Sequence, residues 1–198
     1  MPRSKRDFKI GSFYHVINRG VEKRKIFNKP QDYSRFIIGL EFFNQNDPIN
    51  LWNFLSSSRV GSDPTRNNLA FQLNNKRQQK SKPIVDILAF VLMPNHYHFI
   101  LKEIKKGGIS SFMKKMGGYS TYFNKQYKRV GPLFQSRFKA IEIEDEEQLH
   151  KTFIYVHMNP VELIESGWKD LEVKNKKASI KFLNEYKWSS YPDYVQSK

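Results

Sequence analysis

The run Ile84-Val-Asp-Ile-Leu-Ala-Phe-Val-Leu-Met-Pro94-Asn95-His96-Tyr97-His98-Phe99-Ile100-Leu101-Lys102-Glu103 decides how the chain is read. Ile84 to Leu92 is almost continuously apolar, as a strand covered on both faces would be. Met93-Pro94-Asn95 reads as a turn and His96 to Glu103 as a second strand, so the two predict a hairpin. Side chains alternate along a strand, so His96 and His98 project from one face together with Ile100 and Lys102. Tyr97, Phe99 and Leu101 point the other way, which suits a face covered by helices.

Outward from the hairpin, residues 11 to 18 predict a strand ended by Arg19-Gly20. From Gln31, after Pro30, the spacing of Tyr33, Phe36, Ile37, Leu40 and Phe43 predicts a helix to about Asn44. Residues 45–82 carry Ser56-Ser57-Ser58 and a polar run from Asn74 to Lys80, and read as an irregular insertion with limited structure around Trp52, Phe54, Leu69 and Phe71. Downstream of Gly107-Gly108, helical spacing links Ile109, Phe112, Met113 and Met116 with Ser120, Phe123 and Tyr127, across a break at Gly117-Gly118. Arg137 to Ile143 predicts another strand. Asp145-Glu146-Glu147 opens a helix with Leu149, Phe153 and Val156 on one stripe, which Pro160 stops. The order is β-α-(insertion)-β-β-α-β-α. It predicts an α+β fold, an antiparallel sheet with helices packed on one face. We expect one domain over 1–198, with the insertion at about 45–82 and a C-terminal extension from about 161.

The 198 residues carry 34 Lys+Arg against 19 Asp+Glu, a net charge of +15, which calls for a polyanion such as nucleic acid. Residues 102 to 139 hold ten basic side chains and one acid, interleaved with Phe112, Tyr119, Tyr122, Phe123, Tyr127, Phe134 and Phe138. Basic grooves with aromatic platforms hold single strands, whereas each ring taken singly reads as core beneath a solvated basic face. There is no cysteine, which excludes disulfides, Cys-based zinc sites and thiol nucleophiles and fits a reducing, intracellular setting. No apolar run approaches the roughly 18 residues of a membrane span, and no apolar stretch follows the basic N-terminus as in a signal peptide.

Two imidazoles on one strand face can share a metal ion, and they can equally be a hydrogen-bonded pair at a sheet edge. Tyr155 lies off the apolar stripe of its helix, on a face with Lys151 and Asn159, and reads as a nucleophile or as a boundary tyrosine. Asn159 offers a neutral oxygen ligand or closes the helix before Pro160. A phenol is a poor nucleophile at neutral pH, with an ordinary pKa near 10, so it needs a neighbouring charge or base. A divalent ion held by imidazoles and an amide oxygen polarises a phosphate. Metal, tyrosine and basic groove together point to phosphodiester transesterification. No Gly-rich phosphate loop and no GxSxG is present, and the acids Glu142, Glu144, Asp145, Glu146 and Glu147 are consecutive rather than convergent.

Three passages resemble the REP-associated tyrosine transposases, within the HUH single-strand nucleases and transposases. They are Val91-Leu-Met-Pro-Asn-His96-Tyr97-His98-Phe-Ile-Leu, Gly131-Pro-Leu-Phe-Gln-Ser-Arg137-Phe-Lys139-Ala and Tyr155-Val-His157-Met-Asn159-Pro160-Val161. Tyr14-His-Val-Ile-Asn18-Arg19-Gly20 and Trp188-Ser-Ser-Tyr191 add to the likeness, which spans nearly everything but 45–82. The resemblance implies a ferredoxin-like antiparallel sheet with the metal site on one face. It implies that His96, His98 and Asn159 ligate Mg²⁺ or Mn²⁺, and that Tyr155 attacks a DNA phosphate to give a 5′-phosphotyrosine and a free 3′-hydroxyl. The implied partner is single-stranded DNA with hairpins or palindromic repeats, in the bacterial cytoplasm at the nucleoid, with the protein a monomer or homodimer and no membrane involved. Arg19, Arg137 and Lys139 flank the predicted site strands and read as DNA contacts or, equally, as surface charges. Tyr97 between the histidines departs from the aliphatic or other bulky residue usual in the family. Two other activities compete: a domesticated, non-cleaving binder of single strands, and a metal-dependent hydrolase in which Tyr155 is structural.

Overall fold

The structure is a computed structural model that describes residues 6–45, 82–168 and 173–196. Except for its end residues, the insertion expected at 45–82, including Trp52, Phe54, Leu69 and Phe71, lies outside the described residues. The chain forms two compact units, one from residues 1–10, 27–86 and 103–133, the other from 11–26, 87–102 and 134–198.

The second unit is built on a four-stranded antiparallel sheet of β1 (Phe13–Arg19), β2 (Val85–Met93), β3 (His96–Glu103) and β4 (Lys139–Ile143), in the order β2-β3-β1-β4. This is the ferredoxin-like α+β arrangement expected from the motifs. In β1, Phe13 pairs with Lys102 at one end of β3 and Arg19 with His96 at the other. On its other edge Phe13 pairs with Ile143 and Ile17 with Lys139 of β4. Residues opposite one another share a face, so His96, His98, Arg19, Ile17, His15 and Lys139 all project from the same side. On the reverse side Tyr14, Val16, Tyr97, Phe99 and Leu101 are buried.

Helix α4 (Glu146–Met158) packs on the histidine side. Asp145 caps it, its carboxylate accepting from the Gln148 amide at 2.7 Å, with Glu146 and Glu147 in the first turn. The stripe of Leu149, Phe153 and Val156 meets Ala89, Val91, Met93, Ile100 and Ile143 in one apolar cluster. A full side chain sunk there contributes about 2 kcal/mol. Pro160 closes α4 into a 3-10 turn, Asn159–Leu163, followed by α5 (Lys176–Glu185) and α6 (Tyr191–Gln196). The tail makes a bridge with strand β2. The Leu92 amide donates to the Trp188 carbonyl at 2.9 Å and the Ser190 amide to that of Phe90 at 3.0 Å. The Ser190 hydroxyl also accepts from the Phe90 amide (2.9 Å) and bonds the His157 Nε2 at 2.8 Å, which ties α4 to the sheet edge.

The first unit holds α1 (Pro30–Phe42), α2 (Gly108–Met116) and α3 (Tyr119–Gln126). The helical stretch divides at Gly117-Gly118, where the glycine pair predicts a break, and the two amides end α2 on the Met113 and Lys115 carbonyls. Three of the seven aromatics interleaved with the basic run, Phe112, Tyr119 and Phe123, are buried, and elsewhere in the unit Phe27 stacks on Tyr33 at 4.4 Å. Asp32, wholly buried, accepts from the hydroxyls of Tyr122 (3.0 Å) and Tyr127 (2.6 Å) and the amides of Asn28 and Lys29. Burial and that carboxylate push Tyr122 up to about 12. Asn44 accepts from the Ile84 and Val85 amides and donates to the Val85 carbonyl, so it joins the residues on either side of the insertion. Gly108 is obligatory, since a Cβ there would lie 2.1 Å from the Ile84 carbonyl oxygen. Among the described residues no helix is long and apolar enough to cross a membrane.

Candidate nucleic-acid and metal site

His96 and His98 stand side by side at the start of β3, their ring centroids 5.0 Å apart and nearly perpendicular. Tyr155 lies off the apolar stripe of α4 and turns its ring edge-on to His98 at 5.5 Å. One helical turn on, Asn159 is fully buried and donates its side-chain nitrogen to the Tyr155 carbonyl at 2.7 Å. The structure thus brings Tyr155 to the histidine pair and binds Asn159 to the same turn of helix. Lys151, four residues before Tyr155 on the same face of the helix, is exposed and pairs with Glu147 at 2.5 Å.

The imidazole of His96 is fixed by its neighbour. Its Nδ1 lies 2.6 Å from the side-chain oxygen of Asn95, whose nitrogen donates to the Lys23 carbonyl at 3.1 Å. That second bond sets which end of the amide faces the ring, so His96 donates from Nδ1 to the Asn95 oxygen. The carbonyl of Lys23 is aimed by a strained turn, in which Glu22 and Lys23 both adopt positive φ (55° and 58°). Such left-handed residues cost on the order of 1 kcal/mol each and cluster at functional sites. Gly20, whose amide donates to the Asn95 carbonyl at 2.9 Å, allows the turn; a Cβ would lie 2.2 Å from the Arg24 oxygen.

His98 is held by His15, a residue that composition and spacing did not single out. The Nε2 of His15 lies 2.9 Å from the His98 Nδ1; the rings stack at 5.1 Å, and His15 meets Tyr155 edge-on at 6.0 Å. Burial pushes His15 down to about 4, so it is neutral at neutral pH. Its place follows from register. His15 pairs with Ile100, and Ile17 with His98, so His15 is the diagonal neighbour of His98 on one face. Strand alternation was readable in the sequence; the pairing that makes it useful was not. His157, on the same helix as Tyr155, faces the other way, toward Ser190. Burial holds it too near 4, against the opposing pull of the Phe153 backbone and Asp193.

Of the expected DNA contacts, Arg19 is opposite His96 in register. Lys139 lies in the row Lys139–Ile17–His98, two strands or about 10 Å from the histidine. Arg137 is exposed just before β4, where the Gln135 amide donates to the Arg19 carbonyl (3.0 Å) and Asn18 to that of Ser136 (3.3 Å). Arg19 and Lys139 therefore share the histidine face, with Arg137 in the adjoining loop.

The donor set fits a divalent ion. It comprises two imidazoles on one face and an amide whose nitrogen donates to the helix at the Tyr155 carbonyl. Imidazoles suit borderline divalent ions, and the amide oxygen suits Mn²⁺ or Mg²⁺ where further oxygens complete the site. Among the described residues no three His, Asp or Glu side chains gather as a metal site.

Comparison with known proteins gives a family likeness and likenesses to solved structures. Residues 68–159, the stretch from within the insertion to the end of α4, match the family described as "Transposase IS200 like". Among solved structures the chain is similar to a REP-associated tyrosine transposase bound to a REP hairpin, with 16% identity and a TM-score of 0.55 over 100% of this chain and 87% of that one. No curated protein matches the sequence significantly. The resemblance drawn from the motifs is met on both counts: residues 68–159 carry the sequence pattern of IS200-like transposases, and the chain has the fold of a REP-associated tyrosine transposase.

Proposed function

We propose that the protein is a metal-dependent tyrosine transposase that cleaves and rejoins single-stranded DNA carrying hairpins or palindromic repeats. The observation that carries this reading is the Tyr155 ring 5.5 Å from His98, with Asn159 one turn further on the same helix. The Tyr155 oxygen attacks the phosphorus as the bond to the 3′ oxygen breaks. The phenolic proton is lost and the leaving oxygen gains one, giving a 5′-phosphotyrosine and a 3′-hydroxyl. The reverse step rejoins the strand. His96, His98 and Asn159 would hold Mg²⁺ or Mn²⁺, whose charge, when bound, stabilises the negative charge that develops on the phosphate. Arg19, Arg137 and Lys139 hold and orient the backbone of the single strand. The similarity to a transposase bound to a REP hairpin supports hairpin DNA as the substrate.

The test is a denaturing gel after incubation with hairpin-containing single-stranded DNA and Mn²⁺ or Mg²⁺. Wild type is expected to form a covalent adduct that Tyr155→Phe does not. No adduct from wild type, or an adduct that survives Tyr155→Phe, overturns the reading. Strand cleavage without adduct assigns the chemistry to metal-activated water. Salt-sensitive binding without cleavage assigns the protein to non-cleaving binders.

A further inference from the structure

The two histidines of the site are gripped alike, through Nδ1 and by residues outside the expected ligand set. For His96 the grip fixes the tautomer, because the Asn95 oxygen can only accept. For His98 it does so only in one sense, because two imidazole nitrogens meet at 2.9 Å and either can donate. If His15 donated, the His98 proton would sit on Nε2, and the two site histidines would present different atoms. If His98 donates, both carry the lone pair on Nε2, as a shared ion requires.

We propose that His15 is a positioning residue that accepts the Nδ1 proton of His98 and thereby holds it in the tautomer whose Nε2 can bind a metal. The inference rests on the metal reading of the proposed function and adds to it a residue outside the ligand set. Geometry supports the role. His15 lies on a central strand, diagonal to His98, stacked on its ring at 5.1 Å and edge-on to Tyr155 at 6.0 Å. It touches ligand and nucleophile together, and its strand is fixed by ladders on both edges. A change at His15 therefore acts through His98 without removing any ligand.

The test separates hydrogen bond from packing. His15→Phe keeps a ring and removes the acceptor; His15→Gln restores an acceptor. Long-range ¹H–¹⁵N imidazole spectra of the metal-free protein read the His98 tautomer directly. Wild type and His15→Gln are expected to show the proton on Nδ1, and His15→Phe a shift toward Nε2. Mn²⁺ titration without DNA, followed by the free-ion electron paramagnetic resonance signal, is expected to show a roughly 10- to 100-fold loss of affinity in His15→Phe. His15→Gln should recover most of that loss. An unchanged His98 tautomer in His15→Phe, or Mn²⁺ affinity within about twofold of wild type, overturns the proposal. A His15→Phe that does not fold leaves His15→Gln and wild type to decide: a wild-type His98 protonated on Nε2 also overturns it. Wild type that binds no Mn²⁺ while its tautomer still follows His15 sinks the metal reading and leaves the positioning bond standing.

Discussion

Two buried polar clusters in this molecule look alike in composition and differ in kind. Around Asp32 two phenols and two amides converge on one carboxylate, so donors and acceptor close on each other. Around His98 the bonds run outward in a chain, from Lys23 through Asn95 to His96 and from His15 to His98, and Tyr155 abuts the end of it. A closed network of this sort ties α1 to α3 and has nothing to offer a ligand. An open one orients side chains toward a shared point. Burial and perturbed ionisation mark both, and the direction of the hydrogen bonds separates them.

The comparison can be broken at either end. The largest effect is expected at His98: His98→Ala should lower adduct formation by roughly 10³-fold while the melting temperature stays within a few degrees of wild type. Asp32→Ala should do the reverse. It strands two hydroxyls and two amides at a fully buried site, a loss of roughly 3 to 5 kcal/mol that a thermal melt would read as roughly 10 °C, while the folded fraction still forms adduct. If the two substitutions gave the same phenotype, the distinction between the clusters would fail.

Acid offers an intermediate test. His15 and His157 are both held near 4 in the folded protein, against about 6.5 in an unfolded chain. The unfolded state therefore takes up protons first. Stability is complete above pH 6.5 and is lost as pH falls from 6.5 to 4, by on the order of 3 kcal/mol for the well-buried His157. Denaturant melts at about pH 7 and about pH 4.5 measure it, and His157→Gln should remove its share. The smallest effects belong to the cations of the histidine face. Arg19→Ala and Lys139→Ala should each weaken single-strand binding modestly and lower the salt slope by about 0.7 for each phosphate no longer neutralised. An unchanged slope would place the strand elsewhere.

Much of this was legible in the residues alone. The β3 limits, the capped start of α4 and its apolar stripe follow from period, charge and Pro160. Tyr155 stood off that stripe, and the two histidines shared a parity. Register was hidden, since it depends on which strands pair and in what offset. His15 and Asn95 therefore escaped notice, although both stand in quoted motifs. In the basic aromatic stretch each ring taken singly read as core; Phe112, Tyr119 and Phe123 are buried, and Tyr122 and Tyr127 give their hydroxyls to Asp32. Helix α5 was missed because only Ser179 and Leu183 of its ten residues are buried, too few to leave a period in a lysine-rich run.

The pairing of the tail with β2 carries one more consequence. A chain cut before Trp188 would uncover backbone donors and acceptors along the outer rim of the sheet and take away the hydroxyl that His157 bonds. Bare rims of this kind recruit other chains and stack into aggregates. Proteolytic trimming of the last stretch would thus be felt twice: as insolubility, and as looseness in the helix that bears the nucleophile.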